Sequence, residues 1–221
     1  MSNNLQTTTP IMTRLPTLKF EDNRIIINAL LKYIDNRQGW QRHDGVPLRK
    51  DAQYLCLGTR RANQRFVDRV PEIITAKPGE ELPSVDELNA AIPQTEWPIG
   101  LTGQPEGPWK RERIVYMIDV LDLTILTYSN HTVGATRAVE DLEDRWEWAK
   151  ALYGADVMPL FALGEAPFPT SYGERKRPVF KPVGWRRFVD GALRVVDQGA
   201  ILLDEPKKKP PRETINDSIP Y

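Results

Sequence analysis

Basic and aromatic residues interleave near the end of the chain. Phe168, Tyr172, Arg175, Lys176, Arg177, Phe180, Lys181, Trp185, Arg186 and Arg187 follow one another within twenty residues. That mixture suits single-stranded nucleic acid, because bases stack on flat rings while phosphates pair with guanidinium and ammonium groups. A stacked base contributes about 1–3 kcal/mol, so two or three rings decide an affinity. A second basic group, Lys110, Arg111 and Arg113, precedes Tyr116, with Tyr128 further on. The candidate stacking set is therefore Tyr116, Tyr128, Tyr172 and Trp185. The candidate phosphate set is Lys110, Arg111, Arg113, Arg175, Lys176, Arg177, Arg186 and Arg187. The plainer alternative makes Phe180 and Trp185 core residues and leaves the charges on a solvated face.

Other chemistries leave weaker traces. No phosphate-cradling Gly-x-x-x-x-Gly-Lys, no Gly-x-Gly-x-x-Gly and no His-Glu-x-x-His occurs. His43 and His131 are far apart, and His131 beside Asn130 reads as a helix-entry residue rather than a base. Cys and His do not cluster in the way a zinc site needs, so neither a metal nor a cofactor is expected. Asp119 and Asp122 fit a hairpin turn better than a metal site. Cys56, the one cysteine, sits in the apolar run 54–57 and reads as a small core residue; one cysteine cannot build a disulfide framework. A nuclease built only of carboxylates leaves no local signature and ranks as a distant third reading. The expectation is that the chain is not an enzyme.

The elements that must position these residues form a sequence of strand, strand, helix, strand, strand. The runs 114–120 and 123–128 are β-branched and aromatic with no Gly or Pro, which favours strands. Thr132 stands as an N-cap, and Ala135, Ala138, Val139, Leu142, Trp146 and Ala149 recur at helical steps up to Gly154. Five acidic and three basic residues leave this helix at a net charge of minus 2, a poor surface for a polyanion. The runs 157–163 and 179–183 read as closing strands, with Pro159 and Pro182 marking edges or bulges. Residues 189–203 are apolar and either return to the sheet or pair with another subunit in a homo-oligomer.

Upstream, 24–34 supports either a strand or a short helix. Tyr54 to Leu57 reads as a short strand ending at Gly58. Thr59 then caps a helix through Phe66 that would show Arg60, Arg61 and Arg65 to solvent or phosphate. Residues 71–100 are linker-like, with a short helical turn from Ser84. Trp97 and Trp109 close a core.

The chain has 221 residues, 40% hydrophobic and 27% charged, with 19 prolines and a formal net charge of zero. The neutrality hides segregation: residues 14–69 hold 12 basic against 6 acidic groups, 70–96 hold 1 against 6, and 171–187 hold 6 against 1. Segregated charge can line a basic groove on a neutral protein. No run is long enough to span a membrane, and the first residues lack a secretory pattern, so a cytoplasmic setting is expected.

The last residues are Asn216-Asp217-Ser218-Ile219-Pro220-Tyr221. This ending resembles the C-terminal tip of bacterial single-stranded DNA-binding proteins, in which an acidic run is followed by Ile-Pro-Phe. Asp217 stands for the acid, Ile219 and Pro220 match, and Tyr221 replaces the phenylalanine. The resemblance implies that Asp217, Ile219, Pro220 and Tyr221 dock on replication or recombination proteins of a bacterial host. It also implies an OB-fold, in which one helix lies between the third and fourth strands. The predicted helix between 114–128 and 157–183 is compatible, provided an earlier strand comes from the N-terminal half. Residues 97–100, 129–135 and 172–180 are similar to an uncharacterised group of proteins from alphaproteobacterial genomes and their phages, which implies a phage or mobile-element setting.

The expected fold is therefore α+β: a β-rich OB-like barrel with one long helix between strands. Residues 1–20 would form a disordered arm, 21–96 an N-terminal α/β extension and linker, 97–203 the core, and 204–221 a flexible tail. The expected function is single-stranded DNA binding in replication or recombination. The competing expectation is a structural or inhibitory protein without nucleic-acid affinity, whose strip at 171–187 contacts another protein.

Overall fold

The computed structural model of the chain describes residues 14–16, 18, 25–34, 39–76, 80–100, 103–170 and 173–196. They form one mixed sheet of nine strands with one long helix. The strands are β1 (Ala29–Ile34), β2 (Gly39–Arg42), β3 (Tyr54–Val67), β4 (Val70–Thr75), β5 (Lys110–Asp119), β6 (Ile125–Asn130), β7 (Met158–Thr170), β8 (Gly173–Val189) and β9 (Ala192–Val195). Helix α1 is the short Val85–Ala90 and α2 is the long Val133–Tyr153. The strand order is β2-β1-β6-β5-β3-β7-β8-β9, with β4 on the edge of β3. The β1–β6 pair is parallel and the other ladders are antiparallel.

Helix α2 forms where the spacing of its small apolar residues predicts. Thr132 caps it by accepting from the Ala135 amide, and Gly154 ends it at φ +103°. Its buried stripe is Gly134, Ala135, Ala138, Val139, Leu142 and Ala149. These side chains are small, so the helix lies close to the sheet. They meet Tyr54, Cys56, Val115, Met117, Leu126, Tyr128, Phe161 and Phe180 in the main core.

The opposite face of the same strands is also covered. Leu18, Ile25, Ile26 and Ile27 pack with Ala62, Ile114 and Tyr116. Leu15 joins Leu55, Ile118, Met158 and Leu160. The covering segment is held by polar contacts: the Tyr116 hydroxyl donates to the Ile25 carbonyl at 2.9 Å, and the Thr127 hydroxyl both accepts from the Ile27 amide and donates to its carbonyl. The expected arm at 1–20 therefore ends in residues packed on the sheet.

The sheet curls around the main core until its two ends approach. The indole of Trp40 on β2 donates to the Gly164 carbonyl on β7 at 2.8 Å. Its ring lies 5.2 Å from Tyr128 on β6 and 5.6 Å from Phe180 on β8. Among the described residues no ladder joins β2 to β7 or β8, so the sheet is open and a closed barrel is not formed.

Two local expectations are corrected. Residues 60–66 are not a helix: β3 runs through them, because Leu57 is taken up as a bulge and Gly58 stays paired with Tyr116 rather than ending the strand. The linker-like stretch carries β4 and α1, and β3 lies between β5 and β7, so the sheet has no seam near residue 97 that would separate an extension from a core. On β7 and β8, Phe161 faces Pro182 while Leu160 faces Gly184, which leaves Val183 as the extra residue of a bulge beside the proline.

Burial sets the titration of the core. It pushes the Cys56 thiol up to about 12 and the Tyr54 phenol up to about 12, and it raises Tyr128 as well. Below the ordinary values of 9.0 for the thiol and 10.0 for the phenol, both folded and unfolded chains hold these protons. Above them only the unfolded chain releases protons, so stability is lost as pH climbs towards about 12. The urea midpoint is expected to be flat up to about pH 9 and to fall above it, more gently in Cys56→Ala. A midpoint unchanged to about pH 11 would show that these groups are not buried as described.

Candidate nucleic-acid interface

Three of the four candidate rings lie inside the protein. Tyr116 and Tyr128 are fully buried, and Trp185 packs with Ala149 and Val157 beneath the end of α2. The cause is strand alternation in a sheet covered on both faces: Tyr116 points to the layer of Ile25, and Tyr128 points to the layer of α2. The expectation that Tyr116, Tyr128 and Trp185 stack on bases is corrected on this ground. Tyr172 lies outside the described residues, as do Asp217, Ile219, Pro220 and Tyr221.

The candidate cations are engaged by the protein itself. Arg113 pairs with Glu140 and Arg177 with Asp141, each at 2.8 Å, so two arginines from β5 and β8 grip adjacent residues of α2. Arg61 of β3 reaches Glu143 on the next turn at 3.2 Å. Arg187 pairs with Asp156 at 2.9 Å and also donates to the Tyr153 carbonyl. Arg111 donates to the Asn63 side chain and the Pro83 carbonyl, both at 2.7 Å. Lys110 meets Glu106 and Lys176 meets Glu165. Arg186 donates to the Trp185 carbonyl, and burial lowers its pKa. Arg175 is half-buried on β8. The group at 110–113 and the group at 175–187 do not share one groove: β5 and β8 are separated in the sheet by β3 and β7. The acidic side of α2, read as a face that repels polyanions, is what these arginines bind.

A different set of groups is presented outward. The β3–β4 hairpin turns at Asp68 and Arg69, both at positive φ, and carries Phe66, 64% exposed, with Val67 and Val70 also exposed. Arg65 sits at its base over the Trp109 ring, 4.9 Å from the centroid, and also pairs with Glu72. Further along β3, Thr59, Arg60 and Arg61 line an open cleft of about 450 Å³ with Arg111, Glu80, Glu81 and Glu143. Cleft and hairpin lie along about 25 Å of β3, with Arg60 and Phe66 on one side of the strand and Arg61 and Arg65 on the other. A helix through 60–66 would show Arg60, Arg61 and Arg65 to solvent or phosphate and gives Phe66 no such place; the strand instead carries Phe66 out to the hairpin tip. The Phe-Val-Asp-Arg-Val run of a hairpin tip was the available signal.

Elsewhere polar groups satisfy one another. Glu112, buried on β5, accepts from Ser129 at 2.8 Å and meets the His131 ring nitrogen at 2.9 Å. Asp119 accepts from the Leu121 amide and pairs with Arg49, and Asp122 accepts from the Thr124 amide, as turn carboxylates do. Among the described residues no group of three or more His, Cys, Asp or Glu side chains is placed to hold a metal. No described helix is long and apolar enough to cross a membrane.

The ion pairs on α2 make a test. Arg113 keeps its Nε and Nη1 buried with no hydrogen-bond partner among the described residues, and burial lowers its pKa. Arg113→Met and Arg177→Met are expected to change stability by no more than about 2 kcal/mol in either direction and to leave affinity for oligonucleotides unchanged. A loss of affinity at unchanged stability would return these cations to the interface. In comparisons with known proteins, no family model, no curated protein and no solved structure matches this chain.

Proposed function

We propose that this chain binds single-stranded nucleic acid, without catalysis, through an OB-like arrangement of β3, β5, β6, β7 and β8. One observation carries the reading. Taken in chain order these five long strands pair first with second, second with third, first with fourth and fourth with fifth, and α2 fills the connection from third to fourth. An OB-fold has this pairing order and this helix, and it binds oligonucleotides on its second and third strands and on the loops after its first and fourth. The strand face here is taken by Leu15, Leu18 and Ile25–Ile27. The reading therefore assigns the path to the rim: the β3–β4 hairpin, where Phe66 stacks on a base and Arg69 meets a phosphate, and the β3 cleft beside Arg60. The likeness of the ending to single-stranded DNA-binding proteins supports a role in replication or recombination in a bacterial cytoplasm, in a phage or mobile-element setting. In that role Asp217, Ile219, Pro220 and Tyr221 recruit a protein partner.

A second reading has its own support. Val67 and Val70 extend the exposed apolar tip beyond what one stacked base needs, and five of the candidate cations, Lys110, Arg113, Lys176, Arg177 and Arg187, already have carboxylate partners. Both features suit a hairpin that docks on a protein. Titration of a fluorescent oligo-dT at two salt concentrations separates the two. Nucleic-acid binding predicts quenching at low salt that weakens as salt rises, and a loss of about fivefold or more in Phe66→Ala, the value of one stacked base. No quenching at low salt would discard the nucleic-acid reading and leave the protein-docking one.

A further inference from the structure

Helix α2 leaves two large apolar side chains in solvent. Trp148 is 48% exposed and Leu152 53% exposed. Four residues apart, they lie on one side of the helix, away from the stripe of Ala135, Ala138, Leu142 and Ala149. Asp141, two turns before Trp148, lies on that same side and pairs with Arg177 of β8, whereas Glu140 and Glu143 reach β5 and β3. The side bearing Trp148 and Leu152 is therefore the one that overlooks β8.

The described chain ends at the same place. Val196 follows β9, its amide donates to the Trp185 carbonyl of β8 at 3.1 Å, and its side chain packs in the cluster of Ala149, Val157 and Trp185 with Trp146 and Tyr153. The next apolar run in the sequence is Ile201-Leu202-Leu203, beginning five residues later. Seven residues reach at most about 25 Å, and one helical turn is about 5.4 Å. Trp148 and Leu152, set among Trp146, Ala149 and Tyr153 on the helix, are well within that reach. Arg145, one turn before Trp148, is exposed on this side and opposes in charge the Asp204-Glu205 pair that follows the apolar run. Beyond it, residues 206–213 are basic and proline-rich, a composition that stays in water.

We propose that Ile201, Leu202 and Leu203 fold back over Trp148 and Leu152, so that α2 is covered by the chain's own C-terminal segment. The contact is intramolecular, and a short connection holds the two partners at a millimolar effective concentration. Covering this side of α2 fixes where the basic segment 207–212 leaves the body, next to β8 and away from the β3–β4 hairpin.

Disulfide trapping in the full chain tests this. Leu152→Cys is combined with Leu202→Cys in one variant and with Thr214→Cys in another. Cys56 is buried and its thiol pKa is raised, so it does not compete. The expected result is a monomeric disulfide that forms at least tenfold faster in the Leu202→Cys variant, with the advantage reduced by Trp148→Ala. Equal rates in the two variants would overturn the proposal. So would disulfides that form only between molecules, because they would assign the patch to a second copy of the chain.

Discussion

The central strands are dry on both faces, and the rest of the structure follows from that. On β5 every residue from Ile114 to Asp119 is buried, a run without the polar alternation of a half-exposed strand. One face is sealed by α2, the other by the segment around Ile25. Burying a large apolar side chain contributes about 1.5–3 kcal/mol, and stacking one base returns about 1–3. Drawing Tyr116 or Tyr128 out to meet a base would also break the Tyr116 bond to Ile25 or open the contacts of Tyr128 with Trp40 and Phe180. The balance keeps those rings inside.

The same closeness explains the fate of the cations. Because α2 carries alanines and a glycine towards the sheet, its flanks come within reach of long side chains on three strands. A Cβ on Gly134 would stand 3.0 Å from the Cβ of Arg177, which shows how near β8 runs to the start of the helix. Arg113, Arg61 and Arg177 then meet Glu140, Glu143 and Asp141 within about one turn. Partly exposed pairs of this kind contribute little to stability one by one. Their larger effect is positional, since they set how α2 rotates over the sheet and withdraw three guanidinium groups from other partners.

Local signals in the sequence were strong where one residue type decides the outcome. Thr132 and Gly154 bound α2, Asp119 and Asp122 bind turn amides, and Cys56 is core, each for reasons of capping, turn chemistry or burial that act within a few residues. The candidate site was less legible. Whether Tyr116 faces water depends on Ile25, ninety-one residues away in the chain, and whether Arg177 is available depends on Asp141. Periodicity along one segment carries no information about what covers it from elsewhere. Gly58 misled for a related reason: read locally it ends a strand, while pairing with β5 carries the strand through a bulge into the arginine-rich half of β3.

What stays open to solvent is the rim of the sheet. The interior is filled by a chain of aromatic contacts from Tyr33 through Trp40, Tyr128 and Phe180 to Phe161 and Tyr54. Trp40 bridges β2 and β7, between which no ladder forms among the described residues, by its bond to the Gly164 carbonyl. Exposed apolar side chains stand together instead on a projecting hairpin, as Phe66, Val67 and Val70 do at the tip of β3 and β4. A hairpin tip such as Phe66–Val70 has backbone hydrogen bonds along β3 and β4 to hold its shape and few packed neighbours to lose on contact. A ring on such a tip stands in solvent at little cost to the core, because both covered faces of the sheet are packed without it.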